Sequence, residues 1–247
     1  MSKMSFVSLI NILLSSVEEE SEHTANQADI DRMFGWGEWM KYIIMAGGKY
    51  KKFGIPKPLI EVKGETLIER TTKLLKQNGI NDIYISSNNP EFDKYGIRLE
   101  NKNNDFIVYE NGTSKGYWLD AFYPTNEPTC YIFGDVYFTE NAIKTIVEYE
   151  STENILFGTG CAKNLEHKNW GEPFAYKVNK IEEFKNGIVE VKKLFDEKKT
   201  ARHPIVWELY RYLHNLDINI QNITTDYVVI DDGTIDIDSP EQVSKIW

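Results

Sequence analysis

Glycines and lysines follow a short apolar run near residue 45, and this combination is suited to holding phosphate groups. Residues 42–45 are typical of a strand that is buried on both faces of a parallel sheet. Ala46, Gly47 and Gly48 come next, and glycines let backbone N–H groups approach a ligand closely. Four cationic side chains then follow in an acidic chain: Lys49, Lys51, Lys52 and Lys57. Backbone donors and lysines at the carboxyl end of a strand indicate a polyphosphate site.

The lysine at position 57 stands between two prolines, Pro56 and Pro58. This pattern makes a plain glycine turn with solvated lysines the less favoured interpretation of the segment. The loop is not of the Walker A type, because no Gly-Lys-Ser/Thr stands at the required spacing.

Acidic residues at two further places could meet this cationic segment. Asp135 follows Gly134 directly after the apolar run 129–133, so we expect it at the open edge of a sheet. Asp236 and Asp238 are two apart on an extended segment, so both side chains face the same way. Two carboxylates on one face repel each other unless a cation lies beside them. Alternatively, Asp135 caps the turn that follows it, and Asp238 caps the helix that begins near Pro240.

These segments resemble the GT-A-type nucleotidyltransferases, which include sugar-phosphate and choline-phosphate nucleotidyltransferases and the molybdenum-cofactor guanylyltransferase. The resemblance lies in Met45-Ala46-Gly47-Gly48, in Pro56-Lys57-Pro58-Leu59, in Gly134-Asp135 and in the closing Asp238-Ser239-Pro240-Glu241. Two residues depart from the family pattern. Tyr50 stands at a small-residue position, and Lys52 replaces an arginine, which keeps the charge but loses the planar fork.

The resemblance implies an α/β fold with three layers, α/β/α, and a mostly parallel, Rossmann-like central sheet of the GT-A type. The order of predicted elements agrees with this fold, because a strand, a loop, a helix and a strand in succession indicate a right-handed crossover. Thr66 and Glu69 form a capping-box pattern at the start of the first helix, and Asn78-Gly79 ends it. The second strand is predicted at 80–85.

Further elements are predicted from apolar spacing along the rest of the chain. Strands are expected at 106–109, 155–158, 174–178 and 227–230, of which 174–178 is antiparallel. Helices are expected at 115–123, 141–149 and 205–213, and Asp232-Gly233 is typical of a hairpin turn.

The resemblance also assigns roles to individual residues. The triphosphate would lie on the first loop and its lysines: Ala46, Gly47, Gly48, Lys49, Lys52 and Lys57. Gly112 and Thr113 would contact the base or ribose, although Thr113 or Ser114 could equally be a plain helix cap. Magnesium would be held by Asp135 and by one aspartate near the end of the sequence, with Asp238 as the first choice and Asp236 as the second. Lys52, Lys57 and Asp135 would be the catalytic residues.

The acceptor side of the site has weaker candidates. Trp170 could offer a stacking face, and Glu172 could meet a cationic or hydroxyl group. Arg202 and His203 are further candidates of lower rank. Lys177 and Lys180 could meet an acceptor phosphate, but a solvated strand end is the favoured interpretation.

The implied activity is transfer of a nucleoside monophosphate from a triphosphate, with CTP favoured, to a small phosphorylated acceptor. The acceptor would be a sugar phosphate or a phosphocholine-like compound for surface polysaccharide synthesis, and pyrophosphate would leave. Three alternatives stay open: a molybdenum-cofactor guanylyltransferase-like enzyme, a GT-A glycosyltransferase and a non-catalytic nucleotide-binding module.

Composition sets limits on partners and location. The chain of 247 residues has a net charge of −10, which argues against nucleic acid and anionic membranes as partners. Two cysteines, Cys130 and Cys161, are too few for a disulfide framework or a zinc site, which favours the cytoplasm.

Residues 1–39 differ in character from the remainder. The apolar residues 6–14 precede three glutamates at 18–20, which is unlike a signal peptide, and the run is too short to span a bilayer. We expect an amphipathic helix that packs on the domain or on another copy of the chain, followed by a linker. The extension is either such an accessory element or a non-native addition from cloning. The nucleotidyltransferase domain would then be residues 40–247.

Overall fold

A seven-stranded sheet lies at the centre of the part of the chain that the structure describes. The structure is a computed structural model, and it describes residues 40–47, 53–101, 108–110, 113–160 and 171–246. These residues belong to one compact unit, Met40–Trp247. The extension 1–39, with its expected helix and linker, lies outside the described residues.

The strands and helices have the following bounds. The strands are β1 (Lys41–Met45), β2 (Glu61–Val62), β3 (Glu65–Thr66), β4 (Ile83–Ser86), β5 (Ile97–Leu99), β6 (Val108–Glu110), β7 (Thr113–Lys115), β8 (Thr129–Phe133), β9 (Val136–Tyr137), β10 (Ile155–Gly158), β11 (Pro173–Val178), β12 (Tyr227–Val229) and β13 (Ile235–Asp236). The α-helices are α1 (Leu67–Gln77), α2 (Glu140–Glu148), α3 (Ile181–Asp196), α4 (Val206–Leu213) and α5 (Pro240–Lys245).

The central sheet has the strand order β12-β10-β11-β8-β1-β4-β5. Neighbouring strands are parallel except around β11, which runs antiparallel to both β10 and β8. The predicted mostly parallel α/β sheet is therefore confirmed, and so is the antiparallel direction of the strand at 174–178. None of the helices in the described part of the chain has the length and apolar character that a membrane crossing requires.

The two central strands β1 and β8 are deeply buried and end side by side. All five residues of β8 are buried, as are Tyr42, Ile43 and Ile44 of β1. The register pairs Met45 with Phe133, so the two strands reach their carboxyl ends at the same level. The segments after Met45 and after Phe133 therefore leave the sheet next to each other.

Helix α1 begins and ends as its sequence predicts. The Thr66 hydroxyl accepts a hydrogen bond from the Glu69 N–H at 3.2 Å, and the Glu69 carboxylate accepts one from the Thr66 N–H at 2.8 Å. Gly79 follows the helix with a φ of 84°, a value that glycine adopts without strain.

The predicted helix at 115–123 is wrong. Lys115 ends strand β7, and only a short 3₁₀ helix forms in this region, at Trp118–Ala121. Gly116 has a φ of 93°, which is incompatible with continuation of a helix through it. The Trp118 ring packs edge-on against Phe133 of the sheet with ring centroids 5.9 Å apart, so tertiary packing decides this conformation.

The predicted hairpin around Asp232-Gly233 is also wrong. Gly233 does turn the chain, with a φ of 87°, but the strands on either side of it do not pair with each other. β12 joins the edge of the central sheet, whereas β13 pairs with β9 in a separate two-stranded ladder. The turn therefore carries the chain from one sheet to another.

Helix α3 was not among the predicted elements. Phe184, Gly187 and Val191 are its buried residues, and this spacing of three and four gives one apolar face. This spacing is a local signal in the sequence from which the helix can be predicted.

We predict that Thr66→Ala lowers the free energy of unfolding by about 1 kcal/mol, because helix α1 loses its N-cap. Thr66→Ser keeps the hydroxyl and should stay close to the wild type. Urea unfolding of the three proteins measures the difference, and equal loss in the Ala and Ser variants would contradict a capping role.

Candidate active site

The Lys57 ammonium group lies between two carboxylates that come from distant parts of the chain. Its Nζ donates to Asp135 Oδ2 at 2.9 Å and to Asp238 Oδ1 at 2.7 Å. The Lys57 side chain is only 12% exposed, while the side chains of Asp135 and Asp238 are 27% and 61% exposed. The contact with Asp135 is therefore the better shielded of the two, and solvent weakens the contact with Asp238.

Asp135 is placed by the close approach of Gly134 to the end of β1. The Gly134 N–H donates to the Met45 carbonyl at 3.1 Å. A Cβ at Gly134 would lie 2.5 Å from that carbonyl oxygen and 3.1 Å from Pro58 Cγ. Since Pro58 is adjacent to Lys57, the missing side chain at 134 lets both partners of the ion pair come together.

Residues 232–238, which we call the tail, bring Asp236 and Asp238 close to Asp135 through strand β13. Asp236 pairs with Val136 in the β9–β13 ladder, and the Ile237 N–H donates to the Asp135 carbonyl at 2.9 Å. Ile237 is fully buried in a small apolar cluster whose other buried members are Ile60, Val62, Leu67 and Tyr137. Because side chains alternate along an extended segment, Asp236 and Asp238 leave on the face opposite to Ile237.

Lys57, Asp135, Asp236 and Asp238 lie together beside the carboxyl ends of β1 and β8, in a region that we call the crevice. The closeness of these charged groups and their burial determine its electrostatics. Burial raises the pKa of Asp236 to about 9, and the nearby Asp135 and Asp238 carboxylates add to the increase. Burial of the Lys57 ammonium lowers its pKa, but Asp135, Asp236 and Asp238 outweigh that effect and raise it overall. Partial burial and the charges of Asp238 and Asp135 also raise the pKa of Glu172.

The glycine-lysine loop lies only partly within the described residues. Gly48, Lys49 and Lys52 are outside them, as are Gly112 and the stacking candidate Trp170. Ala46 is buried, and its N–H already donates to the Ser86 carbonyl at 3.0 Å, so a ligand would have to contact other atoms of Ala46. Gly47 follows at the carboxyl end of β1, and Thr113 is the first residue of β7.

Two of the acceptor candidates have roles within the fold. The His203 Nε2 accepts from the Trp118 N–H at 3.1 Å, and burial lowers the pKa of this imidazole, which keeps it neutral. Lys177 donates to two carbonyls at the end of α2, at 2.7 Å and 3.2 Å, so it is not the solvated strand end that its position suggested.

Two other candidates remain close to the crevice. Arg202 donates to Glu208 at 2.8 Å, and its charge also lowers the pKa of Glu172. Glu172 interacts electrostatically with Lys57, Asp135 and Asp238. It therefore borders the crevice in which the ion pairs lie.

The donor set is compatible with a magnesium ion. Asp135 and Asp238 reach the same nitrogen atom, so their carboxylates converge on one cation position. Across the described residues, no group of three or more His, Cys, Asp or Glu side chains has the geometry to enclose a metal ion. Magnesium commonly uses one or two carboxylates and completes its shell with phosphate oxygens and water, so two are sufficient.

The sequence predicts Asp232 only as a turn residue, but its carboxylate also contacts residues from a distant part of the chain. Its carboxylate accepts from the Thr139 hydroxyl at 2.6 Å and from Asn141 Nδ2 at 3.2 Å. Nothing in the local sequence reveals this, because the partners lie more than ninety positions away along the chain.

Comparison with known proteins gives the class of this molecule. Residues 42–176, more than half of the chain, match the family model of the MobA-like NTP transferase domain. The chain therefore belongs to the MobA-like NTP transferase family. It is a nucleotidyltransferase, and members of this family use nucleoside triphosphates as substrates.

Two solved structures share the fold at low sequence identity. The inositol-1-phosphate CTP transferase of T. maritima has 17% identity and a TM-score of 0.50, over 85% of this chain and 97% of that chain. A Bacillus anthracis protein described as a glucose-1-phosphate thymidylyltransferase has 14% identity and a TM-score of 0.52, over 84% of this chain and 94% of that chain.

We predict that Gly134→Ala destabilises the protein by about 1 to 3 kcal/mol, because the new Cβ meets the fixed backbone of β1. Gly160→Ala is the matched control, since a Cβ there would lie at 3.8 Å from Val229, an ordinary contact. Thermal unfolding of both variants measures the effect. Equal stability of the two variants would show that the backbone at 134 can move aside.

The raised pKa of Asp236 predicts a pH-dependent stability. Between pH 4 and the folded-state pKa of about 9, the folded protein binds a proton here that the unfolded chain lacks, so this carboxyl destabilises the fold increasingly as pH rises. Asp236→Asn should therefore be more stable than the wild type by about 1 to 3 kcal/mol at pH 8 and equal to it near pH 4.

Urea unfolding at both pH values tests this expectation. Asp231→Asn, at an exposed neighbouring position, serves as the control for the loss of one carboxylate. A stability difference between Asp236→Asn and the wild type that is the same at pH 4 and pH 8 would contradict the raised pKa.

Proposed function

We propose that this nucleotidyltransferase is magnesium-dependent and joins a nucleoside monophosphate, preferentially CMP from CTP, to a small phosphorylated acceptor. The acceptor is a sugar phosphate or a phosphocholine-like compound used for surface polysaccharide synthesis in the cytoplasm. The observation that carries the proposal is the convergence of Lys57, Asp135 and Asp238 beside the carboxyl ends of β1 and β8. In open α/β sheets, ligands bind at this edge.

The reaction requires positioning and charge neutralisation more than covalent chemistry. An oxygen of the acceptor phosphate attacks the α-phosphorus of the triphosphate in line. The bond from the α-phosphorus to the oxygen that bridges to the β-phosphorus breaks, and pyrophosphate leaves with that electron pair. The attacking oxygen is already anionic, so no side chain has to remove a proton from it.

Lys57 is suited to stabilise the charge that develops on the phosphates. Its ammonium is largely buried, and the neighbouring carboxylates keep it protonated over the whole physiological range. A fixed positive charge in a poorly hydrated crevice acts more strongly than one in open solvent. Lys52, Lys49 and the amides of Gly47 and Gly48 complete the proposed triphosphate cradle, with Gly112 and Thr113 at the base or ribose.

Asp135 and Asp238 would hold the magnesium ion, and Asp236 is the second choice after Asp238 for this role. When bound, this ion supplies further positive charge to the phosphate oxygens. The carboxylates themselves orient the Lys57 ammonium toward the centre of the crevice, because it donates to both of them.

The preference for CTP draws support from one structural neighbour. The T. maritima protein is named as an inositol-1-phosphate CTP transferase, which pairs CTP with a small phosphorylated acceptor. Glu172 borders the crevice and could meet a hydroxyl or cationic group of the acceptor.

Pyrophosphate release from CTP, UTP, ATP and GTP tests the proposal with a panel that contains sugar 1-phosphates, phosphocholine and inositol phosphate. We expect metal-dependent release that is highest with CTP and needs an acceptor. Preference for GTP with molybdopterin would instead identify a guanylyltransferase of the molybdenum cofactor. Nucleotide binding without turnover in any combination would favour the non-catalytic module.

We predict that Asp135→Asn and Lys57→Ala each lower kcat by about 10²- to 10³-fold, because each removes charge stabilisation at the phosphates. Lys180→Ala removes a surface lysine that pairs with Glu153 and should leave kcat unchanged. Circular dichroism checks that all three variants are folded. Full turnover in folded Asp135→Asn would remove that aspartate from the mechanism.

A further inference from the structure

The tail that carries Asp236 and Asp238 is joined to the rest of the site by a very short ladder. β13 pairs with β9 at two positions, Ile235 with Tyr137 and Asp236 with Val136. One further backbone hydrogen bond follows, from the Ile237 N–H to the Asp135 carbonyl. So few backbone contacts are marginal for holding a strand in place.

The tail also brings a negatively charged side chain close to another one. Asp135 and Asp238 have the same sign of charge and both contact the Lys57 Nζ, at 2.9 Å and 2.7 Å, so they lie close together. Lys57 compensates part of this charge from within the crevice. Without further contacts, the repulsion would favour movement of the tail away from Asp135.

Asp232 supplies such contacts from outside the crevice. Its Oδ2 accepts from the Thr139 hydroxyl at 2.6 Å and from Asn141 Nδ2 at 3.2 Å, and its Oδ1 accepts from the Thr234 N–H at 3.2 Å. Partial burial raises the pKa of this carboxyl, but the hydrogen bonds from Thr139, Thr234 and Asn141 lower it overall. Asp232 is therefore ionised and bonded on both oxygens.

Thr234 and Thr139 complete a polar cluster, which we call the latch and which consists of Thr139, Asp232 and Thr234. The buried Thr234 Oγ1 accepts from the Thr139 N–H at 3.1 Å and donates to the Thr139 hydroxyl at 3.3 Å. The Thr139 hydroxyl also accepts from the Ala142 N–H at 3.0 Å, which makes it the N-cap of α2. The latch thus attaches the start of the tail to a helix of the main body.

We propose that Asp232 is a positioning residue, which holds the tail through the latch so that Asp238 stays beside Asp135. The inference rests on the proposed function, since the position of Asp238 matters for turnover only if this carboxylate takes part. Phosphate groups bound in the crevice would attract the Lys57 ammonium and weaken its bond to Asp238. Bound phosphates would not weaken the latch in this way, because none of its hydrogen bonds involves Lys57.

The primary experiment measures amide hydrogen exchange at Ile237, whose N–H bonds to the Asp135 carbonyl and so reports whether the tail is docked. Asp232→Ala should make this exchange at least about tenfold faster. Asp231→Ala is the matched control, because it removes the adjacent but exposed aspartate and should leave the exchange rate unchanged. Equal exchange at Ile237 in the two variants would overturn the proposal.

Thr234→Val provides a second route if Asp232→Ala does not fold, since it removes the hydroxyl and keeps the shape of the side chain. It should also accelerate exchange at Ile237, and Thr234→Ser should restore the wild-type rate. Failure of Thr234→Ser to restore the rate would argue against the hydrogen bonds as the cause.

Steady-state kinetics connect the latch to turnover. Asp232→Ala should lower kcat about tenfold or more, because a displaced Asp238 changes the reacting geometry at the phosphates. KM for the triphosphate should stay within about twofold, because none of the hydrogen bonds of the latch involves Lys57 or Asp135. An unchanged kcat alongside faster exchange would overturn the positioning role. Absence of turnover in the wild type would instead overturn the proposed function, while the exchange measurement still decides whether the latch holds the tail.

Discussion

The placement of one buried ammonium among several carboxylates is the constraint on which the site depends. Lys57 donates to Asp135 and Asp238, and Asp236 adds a third acidic group close by. Removing one partner of a buried ion pair leaves the other uncompensated and costs about 3 to 5 kcal/mol, and the solvent-exposed side of Asp238 reduces that cost here. The crevice is therefore built around a charge balance that a phosphate-bearing ligand would alter.

The fold supplies the positions that this charge balance needs. The parallel strands β1 and β8 end at the same level, and the glycine between β8 and Asp135 lets the two chain segments approach. β13 then adds the tail through its ladder with β9. A small apolar cluster around Ile237 holds the back of the tail, while its two aspartates face the crevice.

Local patterns predicted the parts of this structure that depend on local physics. The capping box at Thr66 and the mostly parallel sheet follow from spacing and residue type, and both are present. The helix expected at 115–123 failed because packing of Trp118 on the sheet and the conformation of Gly116 override helix-like spacing. The hairpin at Asp232 failed because the partner of β13 is β9, about a hundred positions earlier. The sequence also suggested that Asp135, Asp236 and Asp238 could meet the cationic segment, but it did not show that Lys57 is the lysine with which they pair.

The order of the elements along the chain separates the scaffold from the charged site. All seven strands of the central sheet lie between Lys41 and Val229, and Asp238 follows them. None of the strand pairings within that sheet involves β13. Selection can therefore retune the charge balance around Lys57 through substitutions near Asp238 while every strand pairing of the scaffold stays unchanged.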